Sequence, residues 1–200
     1  MTPFKLREQV PLFAFVAILF VMGVLFGALM VNQLTLGQKQ DLSAYLSHFF
    51  QTFDQTNPIE SKALFVHSLF NNLKWILLIA LLGLSVIGLP FVLIFNFLKG
   101  ALLGFTVRYL IDRMAWKGVI MTFVSVTPQQ LLLIPALFIT SVMAIAYSLY
   151  VIKHRKLTPM VWNLTQVTLM MGVITLLATL FESFVTPKLL QFITPWLLAN

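Results

Sequence analysis

Long apolar runs alternate with short polar stretches along the chain, and the runs are of membrane-spanning length. A spanning helix needs about 20 mostly apolar residues. The first run, Pro11 to Val31, is uncharged and follows Lys5 and Arg7; it reads as a retained helix, not a cleavable leader. A second begins at Trp75 and reaches about Leu98, interrupted by Gly88-Leu89-Pro90 and closed by Lys99. A third, Gly100 to Ile111, is apolar apart from Arg108; Asp112, Arg113 and Lys117 then intervene, and apolar character resumes from Gly118 to Val126. Leu131 to Val151 and Leu164 to Val185 complete the set. The pattern predicts an all-α fold: one integral membrane domain over 1–200, a polytopic transmembrane bundle of about five spanning helices, with a broken or re-entrant region near 100–130.

The polar segment 32–73 has a periodicity of its own. Leu42, Tyr45, Leu46, Phe49, Phe50 and Phe53 recur at i, i+3, i+4, i+7, i+8 and i+11, one face of an α-helix. Asp41 stands near the start of that run, where the helix dipole favours an anion. After the break at Asn57-Pro58, Leu64, Phe65, Leu69, Phe70 and Leu73 form a second stripe. Such faces lie in the head-group plane, cover the protein's own helix ends, or receive a partner. On the last reading Tyr45, Phe49, Phe50, Phe53, Phe65 and Phe70 bind the partner.

Composition fixes the solvent. Hydrophobic residues make up 60% of the chain and charged residues 10%, too few to clothe a water-exposed surface. Thirteen Lys+Arg against six Asp+Glu give a net +7. These cations sit at the ends of apolar runs, where they orient helices and meet anionic lipid head groups, and no basic stripe with interleaved aromatics points to nucleic acid. Lys5 and Arg7 and the cluster Lys153-His154-Arg155-Lys156 are separated by an even number of crossings, so both fit a cytoplasmic side, with the N-terminus inside and the tail 186–200 outside. Arg108, Arg113 and Lys117 run against that trend. There is no cysteine, which excludes disulfides, thiolate nucleophiles and zinc–thiolate sites.

Scarce polar and small residues inside the runs are the remaining candidates. Gly23 with Gly27, and Gly100 with Gly104, have the GxxxG spacing that lets helix backbones approach closely, within one chain or between two copies of a homo-oligomer. Arg108, Asp112 and Glu182 are ionisable residues in or beside apolar runs, where charge is costly. Arg108 stands one turn before Asp112, positioned to pair with it or to reach Glu182. Pro128 and Pro135 flank Gln129 and Gln130, whose amides suit a discontinuous helix. No H-E-x-x-H, phosphate loop or nucleophile elbow is present. His48 and His67 share a segment with Asp54 and Glu60 at a spacing that matches no metal-ligand pattern. No enzyme, metal or cofactor is expected.

Several elements keep a familiar order. Met22 to Gly27, Ile87-Gly88-Leu89-Pro90, Leu98-Lys99-Gly100 with Gly104-Phe105-Thr106, Phe123 to Val126 with Pro128-Gln129, Ile134-Pro135-Ala136, and Phe181-Glu182 together resemble the stage II sporulation protein M family over nearly the whole chain. A Pro-His-Gly with a following Glu, typical of the wider family, is here Pro128-Gln129-Gln130 with Leu133, so any role of that His and Glu does not transfer; Glu182 matches the family's acidic residue near the last helix. The resemblance implies a multi-pass membrane protein of endospore formation, needed for engulfment, that anchors the cell-wall-degrading proteins D and P of the same stage at the sporulation septum. A channel or transporter-like subunit using Arg108, Glu182 and the proline-broken helix is the alternative.

Overall fold

The computed structural model describes residues 9–54, 61–85, 88–154, 158–184 and 188. Seven α-helices follow in order among them: α1 Val10–Met30, α2 Leu36–Asp54, α3 Ser61–Leu84, α4 Gly88–Met114, α5 Trp116–Ser125, α6 Thr127–His154 and α7 Thr158–Phe184, with a 3-10 turn, Val31–Gln33, after α1. Val10–Gln33, Gly88–Met114 and Gln130–Lys153 are long and apolar enough to cross a membrane, and α3 and α7 carry the shorter apolar stretches Ser68–Leu84 and Leu164–Leu180. The protein is an all-α membrane bundle.

The run from Trp75 to Leu98 is not one span. The chain turns at 85–88, where Ser85 N–H donates to the Leu82 carbonyl (3.1 Å) and Gly88 N–H to the Ser85 carbonyl (2.9 Å). A Cβ on residue 88 would strike the Leu82 carbonyl, so glycine alone fits there. Pro90 falls in the first turn of α4, where its missing donor is harmless. Ser148 of α6 donates to the Gly83 carbonyl (2.9 Å), tying down the end of α3. Ser85 is the single polar residue the sequence offers at this turn, because the rest of its chemistry is met by glycine and by another helix.

Cross-helix contacts fix directions. Gly23 and Gly27 of α1 face Phe97 and Ala101 of α4 in rising order, so these two helices run parallel. Trp75 meets Phe95, setting α3 antiparallel to α4; Asn96 meets Ser141, and Asn72 meets Thr179. Five long helices (α1, α3, α4, α6, α7) therefore alternate along one axis. The end of α3, the starts of α1, α4 and α7 and the end of α6 share one end; the end of α1, α2, the start of α3, the α4–α5 junction and the end of α7 share the other. The long α3 does not stop at residue 73: its first stripe and its apolar half form one unbroken helix.

α6 is the central helix. Every residue from Ser141 to Ser148 is buried, and Val142, Met143, Ala144 and Tyr147 pack with Val16, Ile79, Val92 and Leu164 from the four surrounding long helices. Small residues let those neighbours close in: Ala144 lies where a side chain on Gly83 would go. Thr140 returns its hydroxyl to the Ala136 carbonyl (2.8 Å), which hides a polar group without a cross-helix partner.

The 100–130 region breaks at Ala115, whose φ of 48° and ψ of −123° end α4. A Cβ on Gly118 would meet the Leu110 carbonyl, so α5 starts level with that turn of α4. Asn96 opposite Ser141 places the start of α6, fourteen residues back, level with about residue 110 as well. Both ends of α5 thus lie at one depth, and α5 crosses the end of the bundle instead of re-entering it. Met121 and Thr122 face in, while Trp116 and Phe123 are exposed. A positive φ at a non-glycine residue costs about 1–3 kcal/mol, against roughly 0.5–1 kcal/mol for the added freedom of an unfolded glycine. Ala115→Gly is therefore expected to raise stability by about 1 kcal/mol, read as a higher midpoint for loss of helicity in detergent.

Candidate functional site

Three groups of residues stand out from the lipid-facing background. The first is the α1–α4 contact. A Cβ at Gly23, Gly27, Gly100 or Gly104 would collide with backbone atoms of Phe97, Ala101, Phe20 and Val24 respectively, so the two GxxxG pairs interlock with each other inside one chain. Phe26 against Phe97, centroids 5.6 Å apart, flanks that contact.

The second group lies within the span. Asn96 is fully buried; its Nδ2 donates to the Val92 carbonyl and to Ser141 Oγ, both at 2.8 Å, and its Oδ1 has no partner among the described residues. Asn72 Nδ2 donates to Thr179 Oγ1 (3.4 Å), and Thr179 and Thr175 return their hydroxyls to carbonyls of their own helix. Lys99 holds its Nζ 4.5 Å from the Trp75 ring centroid, a cation–π contact strengthened by desolvation. Sequence reasoning missed these residues because it took Lys99 as the end of a span. The signal was present: once α4 starts at Gly88, Asn96 and Lys99 fall one turn apart in its middle.

The third group is at the end that carries α2. Thr35 and Gln38 form a capping box: Thr35 N–H donates to Gln38 Oε1 (3.0 Å) and Gln38 N–H to Thr35 Oγ1 (3.4 Å), which starts the helix at Leu36 and leaves Asp41 in its second turn. Tyr109 Oη (3.3 Å) and Arg113 Nη2 (2.7 Å) both donate to the Lys39 carbonyl, so α4 grips the first turn of α2. Tyr45 is 82% exposed, while Leu42 and Leu46 are half-buried. Arg108 and Asp112 approach to 3.8 Å, both about four-tenths exposed, and an exposed pair of this kind contributes roughly 0–1 kcal/mol.

The structure separates the other sequence candidates. Phe70 is 73% exposed but sits within α3, at the depth of the span and not on the α2 end. Gln130 lies in the first turn of α6, with its N–H on the Val126 carbonyl (3.2 Å). The side chains of Phe49, Phe50, Phe53, Phe65, Gln129, Glu182, His48 and His67 lie outside the described residues. Among the described residues no three His, Asp or Glu side chains gather as metal ligands.

No curated protein and no solved structure matches the chain. The family model of stage II sporulation protein M matches residues 16–187, from the second turn of α1 to just past α7, so the match includes the glycine contact, the buried Asn96 and the whole α2 end. This chain belongs to the stage II sporulation protein M family, SpoIIM, a family of sporulation-related membrane proteins.

Proposed function

We propose that the chain is a non-enzymatic membrane scaffold that recruits peptidoglycan-degrading proteins, of the stage II sporulation D and P kind, to the sporulation septum and so drives engulfment of the forespore. The observation that carries this reading is α2: a capped amphipathic helix held to the bundle through the Lys39 carbonyl, with Tyr45 exposed. A helix tethered at its first turn offers its remaining turns to a partner. Lys153, at the end of α6, and the start of α1 share one end, which supports a cytoplasmic N-terminus, an outer α2 and an outer C-terminus. That orientation puts the platform on the side of the cell wall. For the channel alternative, Arg108 and Asp112 pair with each other in the last two turns of α4, away from the middle of the span, and the scaffold reading has the better support.

Charging the apolar face tests the proposal. Phe49→Glu with Phe53→Glu is expected to abolish co-purification of the wall-degrading proteins with the tagged chain from sporulating cells, while membrane insertion and helicity persist. Undiminished co-purification would overturn the platform.

A further inference from the structure

Depth along the bundle can be read from contacts. Gly23, two residues past the centre of the Pro11–Val31 run, lies against Phe97 and Ala101. Trp75 packs on Phe95, with centroids 5.4 Å apart, and under Lys99. Lys74 therefore sits within about one helical turn of the middle of α1, near mid-bilayer. Yet Lys74 and Asn71, one turn before it, are both exposed. They are framed on α3 by the exposed apolar side chains Phe70, Leu73 and Leu77.

Nothing described in the chain compensates this lysine. Among the described residues no ion pair or hydrogen bond is made by Lys74; the ion pair found, Arg108–Asp112, lies at the end of α4. Asn72 turns toward Thr179 of α7, and Lys74, two residues on, is about 200° round the helix from it, on the side facing away from α7. A lysine on a lipid-facing surface at this depth is expensive, and such residues find partners. Lys99, level with it on α4, is held on the Trp75 ring inside the bundle, so Lys74 alone gives the outward face its positive charge, and that face asks for an anion. A second copy docked by a two-fold axis through this face would bring Lys74 against Lys74. Asn71 adds an amide, of the kind that joins helices in membranes by hydrogen bonding.

We propose that the outward face of α3 around Asn71 and Lys74 is a docking site for a transmembrane helix of another protein that carries a carboxylate side chain near mid-bilayer. The carboxylate pairs with Lys74, Asn71 donates to the same helix, and Phe70, Leu73 and Leu77 pack along it. This site lies within the membrane and is independent of the α2 platform.

The test uses the full chain in phosphatidylcholine vesicles, labelled at one introduced cysteine, since the sequence has no native one. The probe is a lysine-flanked polyleucine transmembrane peptide with a single central Glu, compared with versions carrying central Leu or a Glu near one end. Energy transfer is expected to show the central-Glu peptide binding at least tenfold more tightly than the other two. Lys74→Leu should remove that preference and Lys74→Arg should keep it, with the melting of both variants unchanged. Equal binding of the Glu and Leu peptides, or a preference that survives Lys74→Leu, overturns the proposal. So does self-association of the chain that depends on Lys74 without any peptide preference, which would assign the face to a second copy.

Discussion

Gly27→Leu and Gly104→Leu each unseat α1 from α4 and lower stability by about 3 kcal/mol or more. Ordinary overpacking costs roughly 1–3 kcal/mol because flexible side chains give way. Here the obstructing atoms are backbone: the Ala101 carbonyl for Gly27 and the Val24 carbonyl for Gly104. The two helices can accommodate a side chain only by moving apart along the whole contact, which also breaks the Phe26–Phe97 packing. Gly37 supplies the control. Nothing lies within 4 Å of a Cβ placed there, so Gly37→Ala, in the first turn of α2, should stabilise by up to about 0.5–1 kcal/mol. Helicity against added denaturing detergent checks both, with a large loss for the first two and a small gain for the third.

Asn96→Asp has the second large effect. The substitution keeps the shape and replaces the Nδ2 that serves the Val92 carbonyl and Ser141 Oγ with a second oxygen. A carboxylate there is fully buried, as Asn96 is, and faces a carbonyl oxygen, while Lys99, one turn on, is engaged on the Trp75 ring. An uncompensated buried charge costs roughly 3–5 kcal/mol. Asn96→Ala removes two hydrogen bonds and some packing without adding charge, and is expected to cost about 1–2 kcal/mol. The same detergent titration at neutral pH should rank the two variants with Asp clearly the worse. Equal losses would mean that Asn96 is in contact with water.

These two effects differ in how visible they were from the sequence. The glycine spacing announced close helix approach, but not that the two pairs met each other; that requires α1 and α4 to run parallel, which depends on the turn at 85–88. The turn itself was hidden. Gly88 and Pro90 signalled an interruption, but apart from Ser85 the surrounding residues are apolar, and an apolar run cannot say whether it crosses once or folds back. Once that boundary is misplaced, Lys99 reads as a terminus and Asn96 goes unnoticed, although both lie in the middle of α4. The break near 115 was legible from the charges at Arg108, Asp112, Arg113 and Lys117, but the orientation of α5 was not, since it depends on where α6 returns. The α2 helix was legible from its periodicity. Its start was displaced because Asp41 drew attention away from Thr35 and Gln38, whose reciprocal hydrogen bonds form the cap.

Membrane bundles exaggerate this asymmetry. Apolar periodicity is weak when lipid and protein interior are equally oily, so the faces of α1, α4 and α7 were unreadable, while every polar residue carried information about depth or partner. Lys74 and Lys99 show the consequence. One is held on an aromatic ring inside the bundle and the other faces outward at the same depth, and only the fold tells them apart.

The central claim, that the α2 end receives wall-degrading proteins, is tested most directly by site-specific photocrosslinking in sporulating cells. A photoreactive residue at Tyr45, which is 82% exposed, is compared with one at Leu25, which is 60% exposed on the lipid-facing side of α1. The scaffold account predicts that Tyr45 captures a peptidoglycan-degrading protein and that Leu25 does not. Capture of lipid alone at both positions, or of the hydrolases only at Leu25, would contradict it.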